Sequence, residues 1–252
     1  MKFRPQRLIL APSADSGVMR KTFSLFCWNI HSCVGRDGKC DPDRVRHALG
    51  SVDFDVYCLQ EVGWQLHRGT PHFDQFRHLA DEIQGHEYRS LTKTRGAQFG
   101  NFIISRYPLE ATQTVKLGRR WGVPRCMQVA DMVVLPKKRI TVMNTHLGLD
   151  PLERLRQMNR IADYVRNDPE RPRILCGDFN TLRSGMAIND LGELFEYRSS
   201  SRTFPARRPA LQLDRIFATG IGPCIEQGIM RESRFREASD HLPVFAAFRL
   251  QD

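Results

Sequence analysis

Five apolar, β-favouring runs in this 252-residue chain border a polar side chain of a kind that does chemistry. Asn29 follows Phe26-Cys27-Trp28, Glu61 follows Cys58-Leu59-Gln60, and His146 follows Val142-Met143-Asn144-Thr145. Asp178 and Asn180 come after Ile174-Leu175-Cys176-Gly177, and Asp240-His241 precede Leu242-Pro243-Val244. A further carboxylate, Asp214, stands inside the apolar run Leu213–Phe217, where an unpaired charge is costly. Taken singly, each reads equally well as a capped turn or a satisfied buried polar group; the joint pattern points to a site. Glu61, Asp178 and Asp240 offer carboxylates to a hard cation. Oxygen-rich donors without cysteine suit Mg²⁺ or Mn²⁺ rather than zinc. Such a cation binds a phosphoryl oxygen and steadies a leaving alkoxide. His241 is then the candidate base for water, if Asp214 holds its tautomer.

On an extended segment, residues i and i+2 share a side. Asp178 and Asn180 are therefore expected to aim at one point beyond a strand end, with Gly177 letting the backbone come close.

The pieces WNI (28–30), LQE (59–61), GNFIISRYPL (100–109), NTHL (144–147), GDFN (177–180), LDRIF (213–217) and SDHLPV (239–244) occur in one order across residues 22–250. In this order the chain resembles the deoxyribonuclease I-like endonuclease/exonuclease/phosphatase superfamily, and small bacterial members share the Thr203-Phe204-Pro205 segment before LDRIF. The resemblance implies a four-layer α/β sandwich, two mixed β-sheets face to face with helices outside and a metal at one edge. It implies that Asn29 and Glu61 lie at the metal site, Glu61 as the most direct ligand, and that Asp240 supports the metal or a second cation. Asp178 and Asn180 would orient the nucleophile and hold phosphate oxygens, His241 with Asp214 would form the general base, and His146 would stabilise the phosphate. Histidine at 146 resembles deoxyribonuclease I and the sphingomyelinase-type members, whereas abasic-site endonucleases carry tyrosine there. Cys176 and Leu213 stand where inositol-polyphosphate 5-phosphatases have tryptophan. Asn101, Arg125, Arg202 and Arg207 are candidates for contacts to substrate, although a solvated basic loop reads equally well for the last two.

The whole chain limits the reading further. A net charge of +10 favours polyanionic partners, nucleic acid or lipid head groups among them, without choosing between them. Hydrophobic content of 41% and charged content of 26% are ordinary for a globular protein. The 7 cysteines are odd in number and scattered, with no CxxC pair, which fits a reducing, cytoplasmic setting. Cys33 and Cys40 flank a glycine-bearing loop and are the one pair placed to join under oxidation. His67, His72, His78 and His86 do not share a helix face, so a second metal site there is not expected. Trp64 and Trp121 fall in expected loops, where they either stack on substrate or cover the core. No apolar run approaches a membrane span, and no obligate protein partner is evident.

These observations lead to a phosphodiesterase or nuclease that uses a divalent cation and a histidine-activated water. A lipid phosphodiesterase or a phosphomonoesterase on the same scaffold, and a polyanion-binding module without catalysis, are the alternatives.

The elements that must position these groups are legible in outline. Residues 1–21 read as a loosely ordered extension and 22–252 as a single domain. Strands are expected over 22–29, 54–60, 101–106, 127–135, 139–145, 174–177, 213–217, about 224–230 and 244–250. Asp41-Pro42 opens a helix to about Leu49 as N-cap and first residue, and 73–83 has helical spacing. Pro151–Arg166 is the clearest helix, with Leu152, Leu155, Met158, Ala162 and Val165 as its apolar stripe. Residues 198–212 are expected to form a long basic loop.

Overall fold

Alternation along β1 (Thr22–Asn29) decides how the first sheet is used: Phe23, Leu25 and Cys27 face one apolar cluster, Phe26 and Trp28 another. The structure is a computed structural model and describes residues 21–64, 74–94, 97–118, 123–181 and 185–251. Apart from Lys21, the expected N-terminal extension lies outside the described residues, as do His67, His72, Trp121 and the Trp64 side chain.

The chain continues through α1 (Pro42–Leu49), β2 (Val56–Trp64), α2 (Gln75–Ile83), β3 (His86–Thr94), β4 (Ala97–Ser105), β5 (Leu109–Gly118), β6 (Arg125–Leu135) and β7 (Lys138–His146). Then come α3 (Pro151–Arg166), β8 (Arg173–Asp178), α4 (Met186–Gly192), β9 (Tyr197–Arg198), β10 (Asp214–Thr219), β11 (Cys224–Ile229), α5 (Ser233–Ala238) and β12 (Val244–Arg249). Among the described residues, two mixed six-stranded sheets form, ordered β11-β12-β1-β2-β4-β3 and β5-β6-β7-β8-β10-β9. Between them lies a core of residues such as Leu25, Cys58, Ile103, Val142, Ile174 and Ile216. Outside the first sheet, Trp28, Leu59 and Phe102 pack on residues of α1, α2 and α5; outside the second, Met143, Leu175 and Phe217 pack on α3 and α4. This is the expected four-layer sandwich.

Local chemistry explains where elements begin. Asp41 and Asp150 each accept a hydrogen bond from the backbone N–H three residues on, ahead of Pro42 and Pro151, so both helices start at capped prolines. On α3, Met158, Ala162 and Val165 are buried as expected, together with Ile161. Leu152 and Leu155 are exposed instead, while Glu153 and Gln157 of the same turns face inward. Strands β3 and β5, which the sequence did not announce, are edge strands with largely exposed side chains. Among the described residues, no helix is long and apolar enough to cross a membrane.

Candidate active site

The parity that sends Cys27, Asn144, Cys176 and Ile216 into the inter-sheet core also directs Asn29, His146, Asp178 and Asp214 inward, at one end of the sandwich. His146 and Asp178 are register partners across parallel β7 and β8, and Asp178 and Asp214 across antiparallel β8 and β10. Three functional side chains thus form a row over adjacent strands. Gly177 has φ 143°, and a Cβ there would lie 1.9 Å from the Thr145 carbonyl oxygen, so only glycine allows β8 to approach β7 this closely.

Glu61 and Asn180 arrive by a different route. Strand β2 does not end at Gln60 but runs on to Trp64, and its pairing with β4 slips between Leu59 and Val62. Glu61 occupies that bulge with φ 56°, which re-aims its carboxylate towards the opposite sheet. Asn180 has φ 52° and lies beyond the end of β8, so it meets Asp178 through a turn rather than along the pleat. Its backbone N–H donates to Asp178 Oδ1 at 2.8 Å, and its side chain donates to the Leu147 carbonyl at 2.9 Å.

The carboxylates of Glu61 and Asp178 converge on the same donors. Asn29 Nδ2 reaches Glu61 Oε1 at 3.2 Å and Asp178 Oδ2 at 3.0 Å. His146 Nε2 lies 3.7 and 3.6 Å from the same two oxygens. Arg125 donates to His146 Nδ1 at 3.1 Å; a guanidinium only donates, so the imidazole proton sits on Nε2, facing the carboxylates. Burial, with Arg125 and His241 nearby, holds the His146 pKa well below its ordinary value, so the ring is neutral.

His241 lies between two carboxylates. Its Nδ1 is 2.8 Å from Asp214 Oδ2 and its Nε2 is 3.8 Å from Asp178 Oδ2. Burial alone would lower its pKa, but Asp214 and then Asp178 lift it to about 10. Burial and the Asp214 charge raise Asp178 to about 6. The Thr203 hydroxyl donates to Asp214 Oδ2 at 2.5 Å, and the Phe204 ring packs on His241 at 4.9 Å. Ser239 fixes the approach, accepting from His241 N at 3.1 Å and donating to the Asn29 carbonyl at 2.7 Å.

The chain matches the model of the Endonuclease/Exonuclease/phosphatase family over residues 26–241, a span that holds all of these groups. This protein belongs to that family. It is 30% identical over 229 residues to the uncharacterized protein YbhP of Escherichia coli (strain K12), covering 82% of this chain and 87% of that protein. An endonuclease/exonuclease/phosphatase structure from Beutenbergia cavernae DSM 12333 superimposes with a TM-score of 0.75 at 23% identity, covering 92% of this chain and 72% of that one. ANGEL2, described as a 2′,3′-cyclic phosphatase and solved with adenosine-2′,3′-vanadate, gives a TM-score of 0.68 at 17% identity, over 91% of this chain and 96% of its own. At these identities the two structures show a shared fold.

As a member of a family of phosphoester hydrolases that generally use a divalent metal, the chain can be tested for a cation site. Among the described residues, neither Glu61 nor Asp178 pairs with lysine or arginine, and both crowd onto shared donors. Asp178, Asp214 and His241 bring one donor atom each within 4.8 Å of one another, and Asp214 Oδ1 is buried without a partner. The convergent oxygens of Glu61 and Asp178, with no lysine or arginine bound to either among the described residues, fit a hard cation.

Two expected ligands are placed differently. The Asn29 side-chain Oδ1 accepts from the His31 N–H at 3.0 Å, which leaves its NH₂ group facing the carboxylates. Asn29 therefore positions Glu61 and Asp178 as a donor. Asp240 is half-exposed and faces His31 Nδ1 at 3.6 Å. Of the expected substrate contacts, Arg125 reaches the site through His146, while Arg202 and Arg207 are exposed on the segment beside Phe204. Asn101 is buried and donates to the Asn144 carbonyl at 3.5 Å, inside the sandwich.

Sequence reasoning missed what stands behind the site. Gln60 donates to Asn144 Oδ1 at 2.7 Å, and Asn144 donates to Gln128 Oε1 at 3.0 Å and to carbonyls of Leu59 and Phe102. This buried amide chain ties β2 and β4 of one sheet to β6 and β7 of the other, beside Glu61 and His146. Its only signal in the sequence was a carboxamide at each of these otherwise apolar strand positions.

Proposed function

We propose that this protein is a Mg²⁺-dependent phosphodiesterase, with Mn²⁺ an acceptable substitute, in which His241 activates water for in-line attack on phosphorus. The observation that carries the reading is His241 held at 2.8 Å by Asp214 and facing Asp178 at 3.8 Å, beside Glu61. Glu61 and Asp178 would hold the cation, oriented by Asn29. When bound, the cation supplies charge stabilisation at the phosphoryl and leaving oxygens.

The chain's own groups do the rest. His241 Nε2 faces Asp178 Oδ2 at 3.8 Å, too far for a direct hydrogen bond, so both groups are open to a water that approaches from the mouth of the site. His241 takes its proton, and Asp214, steadied by Thr203, stabilises the imidazolium. Asp214 above all, and then Asp178 and Asp240, favour the protonated ring, so these carboxylates set how readily His241 serves as a base. His146, neutral and with its proton on Nε2, donates a hydrogen bond to a non-bridging phosphate oxygen, and Asn180 holds Asp178 in place. Asp240 with His31 guards the mouth of the site. Residues 22–252 act as one catalytic domain, and the 7 free thiols agree with a cytoplasmic location.

Hydrolysis of bis(p-nitrophenyl) phosphate with Mg²⁺ or Mn²⁺ tests the reading. Turnover is expected to vanish with EDTA and to fall about 10²–10⁴-fold with His241→Ala; activity left unchanged by both rules this mechanism out.

A further inference from the structure

Exposed apolar side chains follow both His146 and Asn180 in the chain. Three residues after His146, Leu149 is 75% exposed, and Leu152 and Leu155 follow at 53% and 42% on the first turns of α3. Six residues after Asn180, Met186 opens α4 at 80% exposed. Leu155, Met158, Met186 and Ile188 line a groove of about 490 Å³ between the two helices, and Thr181, next to Asn180, lines it as well. Arg154 lies in its wall and donates to the carbonyls of Gly148 and Leu149, bracing the loop that presents Leu149. Leu155 and Met186 flank this groove, and Leu149 and Leu152 add to them on the same loop and helix; four large apolar side chains left in water there are a signature of a surface that meets something else.

Charge indicates what that is. Across the mouth, Arg202, Arg207 and Arg208 are exposed on the segment whose Ala206 N–H donates to the Asp240 carbonyl, and Arg156 is exposed on α3 itself. An apolar rim on one side of a phosphoester site and arginines on the other match the two layers of an anionic lipid surface, acyl chains and phosphate head groups. A nucleic acid would satisfy the arginines and leave the leucines in water.

We propose that Leu149, Leu152, Leu155 and Met186 seat this protein on an anionic phospholipid surface, from which a head-group phosphodiester is drawn into the site. The proposal names the substrate class for the phosphodiesterase reading and rests on it, but its test is binding and does not require turnover. The full chain is mixed with phosphatidylcholine vesicles, or with phosphatidylcholine vesicles containing phosphatidylglycerol, and sedimented. It is expected to co-sediment with the mixed vesicles and far less with the neutral ones. The double variant Leu149→Glu/Met186→Glu is expected to bind the mixed vesicles about tenfold or more weakly. Its thermal melt and its turnover of soluble bis(p-nitrophenyl) phosphate should stay unchanged. The milder Leu149→Gln/Met186→Gln pair, expected to weaken binding in the same direction, serves if the first variant melts early. The proposal is overturned if the wild-type chain stays in the supernatant or binds neutral vesicles equally well. It is also overturned if the variants sediment like wild type, or if sedimentation velocity shows a dimer that they dissolve.

Discussion

His146 and Asp178 sit side by side on parallel strands, with His146 Nε2 3.6 Å from Asp178 Oδ2, yet the histidine is neutral. Arg125 occupies its other nitrogen, and burial disfavours a second proton. In the proposed mechanism this arrangement offers a hydrogen-bond donor, rather than a proton, to a phosphate oxygen. His146→Gln, which keeps an N–H donor, is expected to retain more turnover than His146→Ala, with the difference of about tenfold read in kcat.

Removing His241 is expected to be far more severe. His241→Ala should lower kcat by about 10²–10⁴-fold with a small change in KM, the ordinary range for loss of a general base. Asp214→Asn should fall in the same range, because the imidazole loses the group that holds its tautomer.

Thr203→Val tests whether the hydroxyl on Asp214 positions the pair. The shape is kept and the donor lost, so kcat is expected to fall about tenfold while Thr203→Ser stays near wild type. An equal loss in both variants, seen in steady-state kinetics, counts against the role.

Metal binding should depend on pH in a definite direction. Folding raises the Asp178 pKa to about 6, so below that value a proton occupies the carboxylate that a cation requires. Mg²⁺ affinity is therefore expected to fall as pH drops through about 6. Because a cation displaces that proton, binding at and below about pH 6 should also release protons. Calorimetry in buffers of different ionisation enthalpy measures that release; an apparent affinity flat between pH 5 and about 8 rejects it.

Asn144→Leu should cost stability more than activity assays alone would suggest. It removes the acceptor of Gln60 and strands the buried carbonyls of Leu59 and Phe102 and Gln128 Oε1. A loss of about 2–4 kcal/mol is expected in urea denaturation.

Much of this protein is written locally. The capped prolines of α1 and α3, the alternating strands β1, β7, β8 and β12, and the polar residue at each strand end follow from side-chain chemistry that neighbours in sequence already supply. So does the list of reacting groups. The bulge that carries Glu61 and the left-handed turn at Asn180 were not legible, because both depend on how a partner strand or loop holds the backbone. Strands β3 and β5 escaped notice since an edge strand exposed to water needs no apolar alternation. The direction of the Asn29 amide, the protonation of His146 and His241, and the exposure of Leu152 and Leu155 likewise belonged to the assembled molecule. Each is set by groups distant in sequence that fix desolvation and hydrogen-bond partners. Residue types alone determined which chemistry was available; the packing of two sheets decided which atoms face one another and how each is charged.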